Sequence, residues 1–110
     1  MNCEFQTLSE SLHGKVVRCI NCEHKVALMF NNITQCFSIG DFYSLKDTLE
    51  RMNPDRFFKL YPGEKRIHMQ TEFKTLYFSF TKEEIYELRD LFAKAEMKLQ
   101  LYEKLKSNLN

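Results

Sequence analysis

Glycine and proline are scarce in this chain, three and two residues against ten Phe and five Tyr in 110. So few backbone breakers exclude a loop-rich or low-complexity chain, and an apolar content of 44% supports a packed core. Charge of one sign is lacking too. Sixteen Lys and Arg against fifteen Asp and Glu leave +1, with no run of five or six like charges, so no strong electrostatic footprint for nucleic acid is present. The opening residues Met1 to Thr7 have neither the basic nor the apolar part of a signal peptide, and no apolar run approaches the roughly 20 residues of a membrane span. The expected address is cytoplasmic, with no membrane partner. A Gly-rich phosphate loop, a nucleophile elbow and a recognisable carboxylate pair are all missing, so an enzymatic role is not indicated.

A chain of this length makes one domain, here residues 1–110, burying about two-thirds of the surface its unfolded form exposes. Four cysteines in a reducing compartment point to metal ligands or buried thiols rather than disulfides. Two of them form a C-x-x-C pair, Cys19-Ile20-Asn21-Cys22, between the apolar runs Val16-Val17 and Val26 to Phe30. Thiols so spaced at a strand-turn-strand tip direct two sulfurs at one cation, which is half of a tetrahedral zinc site. Cys3 is the preferred third ligand, because a metal would anchor the N-terminal segment beside the hairpin. His24, two residues beyond Cys22, is taken as the fourth, with His13 and Cys36 as alternatives. Cys36 is the weaker of these, since alternation places it opposite Phe37 on the strand. His24 has a second reading as a core-facing histidine. Thiol-redox chemistry at Cys19 and Cys22 is the rival use, although a strand follows the pair where redox enzymes place a helix N-terminus.

A shift of 43 residues lays Phe37, Tyr43, Leu45 and Asp47 on Phe80, Tyr86, Leu88 and Asp90. In each copy a hydroxyl residue precedes a carboxylate by three positions, Ser38 with Asp41 and Thr81 with Glu84, and these pairs start helices. The first helix is expected from about Ile39 to Met52, with Phe42, Leu45, Leu49 and Met52 on one face and a stop at Asn53-Pro54. The second carries one apolar stripe through Ile85, Leu88, Phe92, Ala95, Leu99, Tyr102 and Leu105. Upstream of each helix the pattern alternates: His24, Val26, Leu28, Phe30, then Ile33, Gln35, Phe37; and Ile67, Met69, Thr71, Phe73, then Leu76, Phe78, Phe80. With strands near Lys15–Arg18 and Phe57–Tyr61 this reads as α+β, two tandem β-β-β-α repeats at about 14–53 and 57–106. Their strands would form an antiparallel sheet, or two small ones, under two helices. Cys3 to Leu8 would add an edge strand or pack over the sheet. The shift sets the C-x-x-C on Pro62-Gly63-Glu64-Lys65, read as the second hairpin's turn.

Two surfaces suggest partners. Arg56, Lys59, Lys65, Arg66 and His68 interleave with Phe57, Phe58 and Tyr61, a mix able to hold single-stranded nucleic acid, although a solvated hairpin is the favoured account at near-neutral charge. The long helix spans about 37 Å if it reaches Lys106, and its apolar overhang from Leu99 to Leu109 must pack over the N-terminal segment or form a homodimer.

The chain resembles a family of short proteins, catalogued as a domain of unknown function and met chiefly in the Bacteroidetes. The resemblance rests on Cys3, Gly14 to Cys22, Phe30-Asn31-Asn32-Ile33, Arg66 to Thr71, Leu76 to Phe80 and Glu84 to Leu88. It implies no activity, substrate or catalytic residue. The functional expectation is a small non-enzymatic binding or regulatory module for a protein partner, with zinc on Cys19, Cys22 and Cys3. A thiol-redox or metal-handling protein is the alternative, and a metal-free interaction scaffold the third.

Overall fold

The computed structural model describes residues 4–20 and 25–108. Four strands, β1 (Phe5–Glu10), β2 (Gly14–Cys19), β3 (Lys25–Phe30) and β4 (Ile33–Ser38), pair antiparallel in sequence order and leave β1 and β4 as the edges. Helix α1 (Ile39–Arg51) follows, then a short α2 (Pro54–Leu60), a separate hairpin of β5 (Ile67–Gln70) and β6 (Tyr77–Phe80), and the long α3 (Lys82–Asn108). The class is α+β as expected.

Alternation sets the sheet's inner face. Val16 pairs with Leu28 and Leu28 with Gln35, while Val26 pairs with Phe37 and Phe30 with Ile33, so these side chains share one face. A bulge at Leu8 shifts the β1 register from Thr7↔Val17 to Ser9↔Val16 and turns Ser9 toward α3, where its Oγ donates to the Leu91 carbonyl at 2.8 Å. The buried stripe of α3, Ile85, Leu88, Leu91, Phe92, Ala95 and Leu99, seals that face. Farther along, Tyr102 lies under the Arg18 guanidinium at 4.5 Å, and Arg18 Nε donates to Gln6 at 2.8 Å. Leu99 and Tyr102 of the overhang therefore pack toward the sheet, while Met97, Leu101 and Leu105, spaced at four residues, stay exposed.

Both helix starts form as the local chemistry requires. Ser38 Oγ accepts from the Asp41 amide at 3.1 Å. The Thr81 amide donates to the Glu84 carboxylate at 2.8 Å, and the Glu84 amide to Thr81 Oγ1 at 3.2 Å.

The two-copy β-β-β-α plan needs correction. Phe57–Tyr61 forms no strand: residues 54–60 are α2, and Pro54, Phe57, Phe58 and Tyr61 follow the three-and-four spacing of a helix face rather than the alternation of a strand. Asn53 supplies the cap, its Oδ1 accepting from the Arg56 amide at 3.1 Å, and Pro54 occupies the first turn. Asn53-Pro54 thus ends one helix and begins the next. Pro62 to Lys65 consequently links α2 to β5 instead of turning a hairpin. The second segment shares with the first only the order hairpin, then helix, and its two strands form their own sheet.

Candidate functional site

Of the four expected metal ligands, Cys3, Cys22 and His24 lie outside the described residues, and Cys19 lies within them. Cys19 closes β2, is buried, and pairs with Phe5 of β1. One residue further, the Ile20 amide donates to the Glu4 carbonyl at 2.8 Å, so the N-terminal segment is fastened at the start of the C-x-x-C turn. Among the described residues no group of three or more His, Cys, Asp or Glu gathers as a metal site.

The alternative ligands do not meet Cys19. His13 precedes Gly14 at the opposite end of β2, about 20 Å away at about 3.3 Å per residue. Cys36 lies across β3, facing Ala27, which faces Val17. Two strand spacings and two residues separate its Cα from that of Cys19 by about 12 Å. Two cysteine side chains and two Zn–S bonds of about 2.3 Å span at most roughly 10 Å. Both residues are therefore removed from the ligand set that includes Cys19.

His13 has a different task. Its backbone amide donates to Glu87 Oε2 and its Nδ1 meets Oε1, both at 2.8 Å, while Ser11 Oγ donates to the same carboxylate. A serine, a histidine and an acid thus meet, yet the carboxylate stands in the middle. An imidazole between hydroxyl and acid is what nucleophile activation needs, so this cluster ties the β1–β2 turn to α3. Partial burial raises the Glu87 carboxyl, but the His13 and Ser11 bonds outweigh it and hold the group below its ordinary 4.5. A depressed carboxyl contributes stability that is complete above the unfolded value and lost as pH falls through the folded one. Glu87→Gln should accordingly lower unfolding free energy by about 1–2 kcal/mol at pH 7. The gap to the wild type should close as pH falls through the folded carboxyl's pKa, below the ordinary 4.5, which urea titrations at pH 7 and in that acid range would measure.

A second region came into view only with the fold. Two cavities, of about 290 and 350 Å³, open between β4, α1 and the β5–β6 hairpin. Side chains alternate along a strand, so runs of consecutive residues that line a cavity line it with the strand's edge. Asn32 to Phe37 of the β4 segment and Met69 to Phe73 of the β5 segment do so. Phe30 and Ile33 close the β3–β4 turn as a hydrogen-bonded pair, which turns the amides and carbonyls of Thr34 and Cys36 away from β3, toward the free edge. Phe37, Leu49, Phe78, Phe80 and Phe92 make the larger cavity apolar.

Gln35 lines both cavities, standing on the inner row between Ile33 and Phe37, and its Oε1 is buried without a hydrogen-bond partner among the described residues. Such an acceptor costs about 1–3 kcal/mol. At the rim Phe73 is 62% exposed and Leu76 48%. Among the described residues Asp41 and Glu72 are the charged ones in the linings, and no Lys, Arg or His joins them.

The basic-aromatic cluster expected around the second hairpin is dispersed. Phe57 and Phe58 pack against the core, Arg66 donates to the Ser79 carbonyl, and His68 meets the Ser79 hydroxyl at 2.6 Å. Neighbouring Asp55 takes Lys82 and the Tyr86 hydroxyl, and those bonds lower its carboxyl's pKa.

Residues 1–108 match the family model described as a family of unknown function, DUF6686. The chain belongs to that family. Comparison with the curated proteins and with the solved structures finds no match in either. The match covers nearly the whole chain, and it brings no activity with it. No helix of the described residues is long and apolar enough to cross a membrane.

Proposed function

We propose that this chain is a small non-enzymatic binding module whose N-terminal segment is clamped by zinc at the β2–β3 turn, with Cys3, Cys19, Cys22 and His24 as ligands. The supporting observation is the Glu4–Ile20 hydrogen bond. Cys3 is one residue from that bond on its side and Cys22 two residues from it on the other, with consecutive Cα atoms about 3.8 Å apart. Cys19 already faces Phe5, which is two residues from Cys3 in the sequence. The removal of His13 and Cys36 leaves His24 as the fourth ligand from the original set.

Burial of Cys19 at a strand end speaks against thiol-redox chemistry, which draws on a helix N-terminus and an accessible thiolate. The carboxylate-centred Ser11–Glu87–His13 cluster likewise favours a binding role over hydrolysis.

Protein purified without added metal should carry about one zinc per chain, protect three thiols from titration, and lose folded signal together with the metal on chelation. Cys3→Ser should reduce zinc retention under a competing chelator. Metal-free protein with normal folding would overturn the clamp, and rapid alkylation of its thiols would move the assignment to reactive cysteine chemistry.

A further inference from the structure

We propose that the groove between the free edge of β4 and the β5–β6 hairpin binds an extended peptide segment of a partner protein, one that sets an apolar side chain near a lysine or arginine. The peptide adds to β4 as a fifth strand. This assignment is independent of the zinc clamp.

Four observations converge on that occupant. The outward amides and carbonyls of Thr34 and Cys36 offer main-chain pairing to an added strand, the mode by which sheet edges capture extended segments. The cavity beside them is apolar and of a size to take a large side chain, which rewards alternate residues of such a strand. Its charges are Asp41 and Glu72, with no cation in either lining among the described residues, so the complementary partner is basic. The fourth is Gln35. Its buried acceptor lacks a donor among the described residues, and the partner's side chains bring N–H groups to the wall that the two cavities share.

The rim argues for a macromolecular partner rather than a free amine. Phe73 and Leu76 extend the apolar surface beyond the cavity onto the exposed hairpin end, a footprint longer than one side chain needs. A polar residue on the inner row, between Ile33 and Phe37, is also what a folding core would not choose.

The test is selection of a random dodecapeptide library displayed on phage against the immobilised full chain, followed by anisotropy titrations with the recovered peptides. Recovered sequences should pair an apolar residue with Lys or Arg one or two positions away, and their affinity should fall with added salt. Glu72→Lys, on the exposed hairpin end, should weaken binding at least tenfold. Cys36→Pro removes an outward amide without breaking a β3–β4 bond and should do the same. Should that variant misfold, Glu72→Lys still decides. Gln35→Leu should raise the thermal midpoint and weaken binding at least fivefold, a split that a purely structural glutamine would not produce. Recovered peptides that bind Glu72→Lys as tightly as the wild type would overturn the proposal, as would a selection without enrichment. Concentration-dependent dimerisation abolished by Glu72→Lys would also overturn it and assign the groove to a second copy of this chain.

Discussion

Replacing Gly14 by alanine is expected to destabilise the protein by about 3 kcal/mol or more, a large part of the roughly 5–15 kcal/mol available to a domain of this size. The cause is room, not backbone freedom, because no glycine here has positive φ. A Cβ on Gly14 would stand 2.3 Å from the Met29 carbonyl oxygen and 2.9 Å from both the Cα and Cδ1 of Phe30. Two of those atoms are main chain, held in the β2–β3 ladder by the Gly14↔Phe30 pair, so no side-chain rotation relieves the contact. The turn cannot retreat either: the Gly14 carbonyl accepts from the Ser11 amide at 2.8 Å and the His13 carbonyl from Asn31 at 2.9 Å. Relief must come from parting β2 and β3 at Phe30, whose ring is buried edge-on against Phe80 at 6.2 Å. Thermal unfolding should read a midpoint lower by about 12–15 °C. Gly63→Ala is the control, since an added Cβ there meets nothing within 4 Å and should shift stability by less than about 0.5 kcal/mol.

Gly14 shows where sequence reasoning ends. That the residue opens a strand follows from the apolar run after it, but the backbone 15 residues later that forbids a side chain is a property of the register. Local chemistry was legible throughout. The Ser38 and Thr81 caps, the stripe of α3 and the alternation through β3 and β4 each depend on residues within one or two turns, and each formed. The failure at α2 was also local in kind: Pro54, Phe57, Phe58 and Tyr61 carried a helical period, and the 43-residue shift onto β2 overrode it. What no local pattern could supply is assembly. Ser11 and His13 find Glu87 more than 70 positions away. Gln35 reads as one polar residue in an apolar row until β5 and β6 stand opposite its strand.

The candidate ligands divide the same way. Spacing alone kept His13 and Cys36 beside Cys3 and His24, because each was a thiol or imidazole near a hairpin. Strand pairing ranks them by distance. It moves His13 to the far end of β2 and Cys36 across a whole strand, while the Glu4–Ile20 bond fastens the N-terminal segment to the turn itself. The proposed zinc clamp and the proposed peptide groove would occupy different parts of the fold. One would hold an end of the β1–β2 edge; the other would use the β4 edge. Loss of metal and loss of peptide binding should consequently be separable by mutation.

Truncating Phe92 to alanine should cost about 3–5 kcal/mol, and the reason connects the core to the groove. Its ring is fully buried on α3, stacked on Phe42 of α1 at 5.0 Å with planes 8° apart, and edge-on to Phe37 of β4 at 6.3 Å. One side chain thus joins α3, α1 and the edge strand β4. Removing it leaves Phe42 and Phe37 without their shared partner and enlarges a void that already adjoins the groove, so neighbours cannot collapse inward without closing the site. Urea unfolding of Phe92→Ala, Phe42→Ala and the double variant should reveal a coupling of about 0.5–1.5 kcal/mol, the excess expected of an aromatic pair beyond its buried area. Phe73→Ala provides the contrast, because that ring is 62% exposed at the rim and its loss should leave unfolding within about 0.5 kcal/mol of wild type. Equal losses at positions 92 and 73 would mean that Phe73 is a core residue, and would remove the rim from the peptide surface.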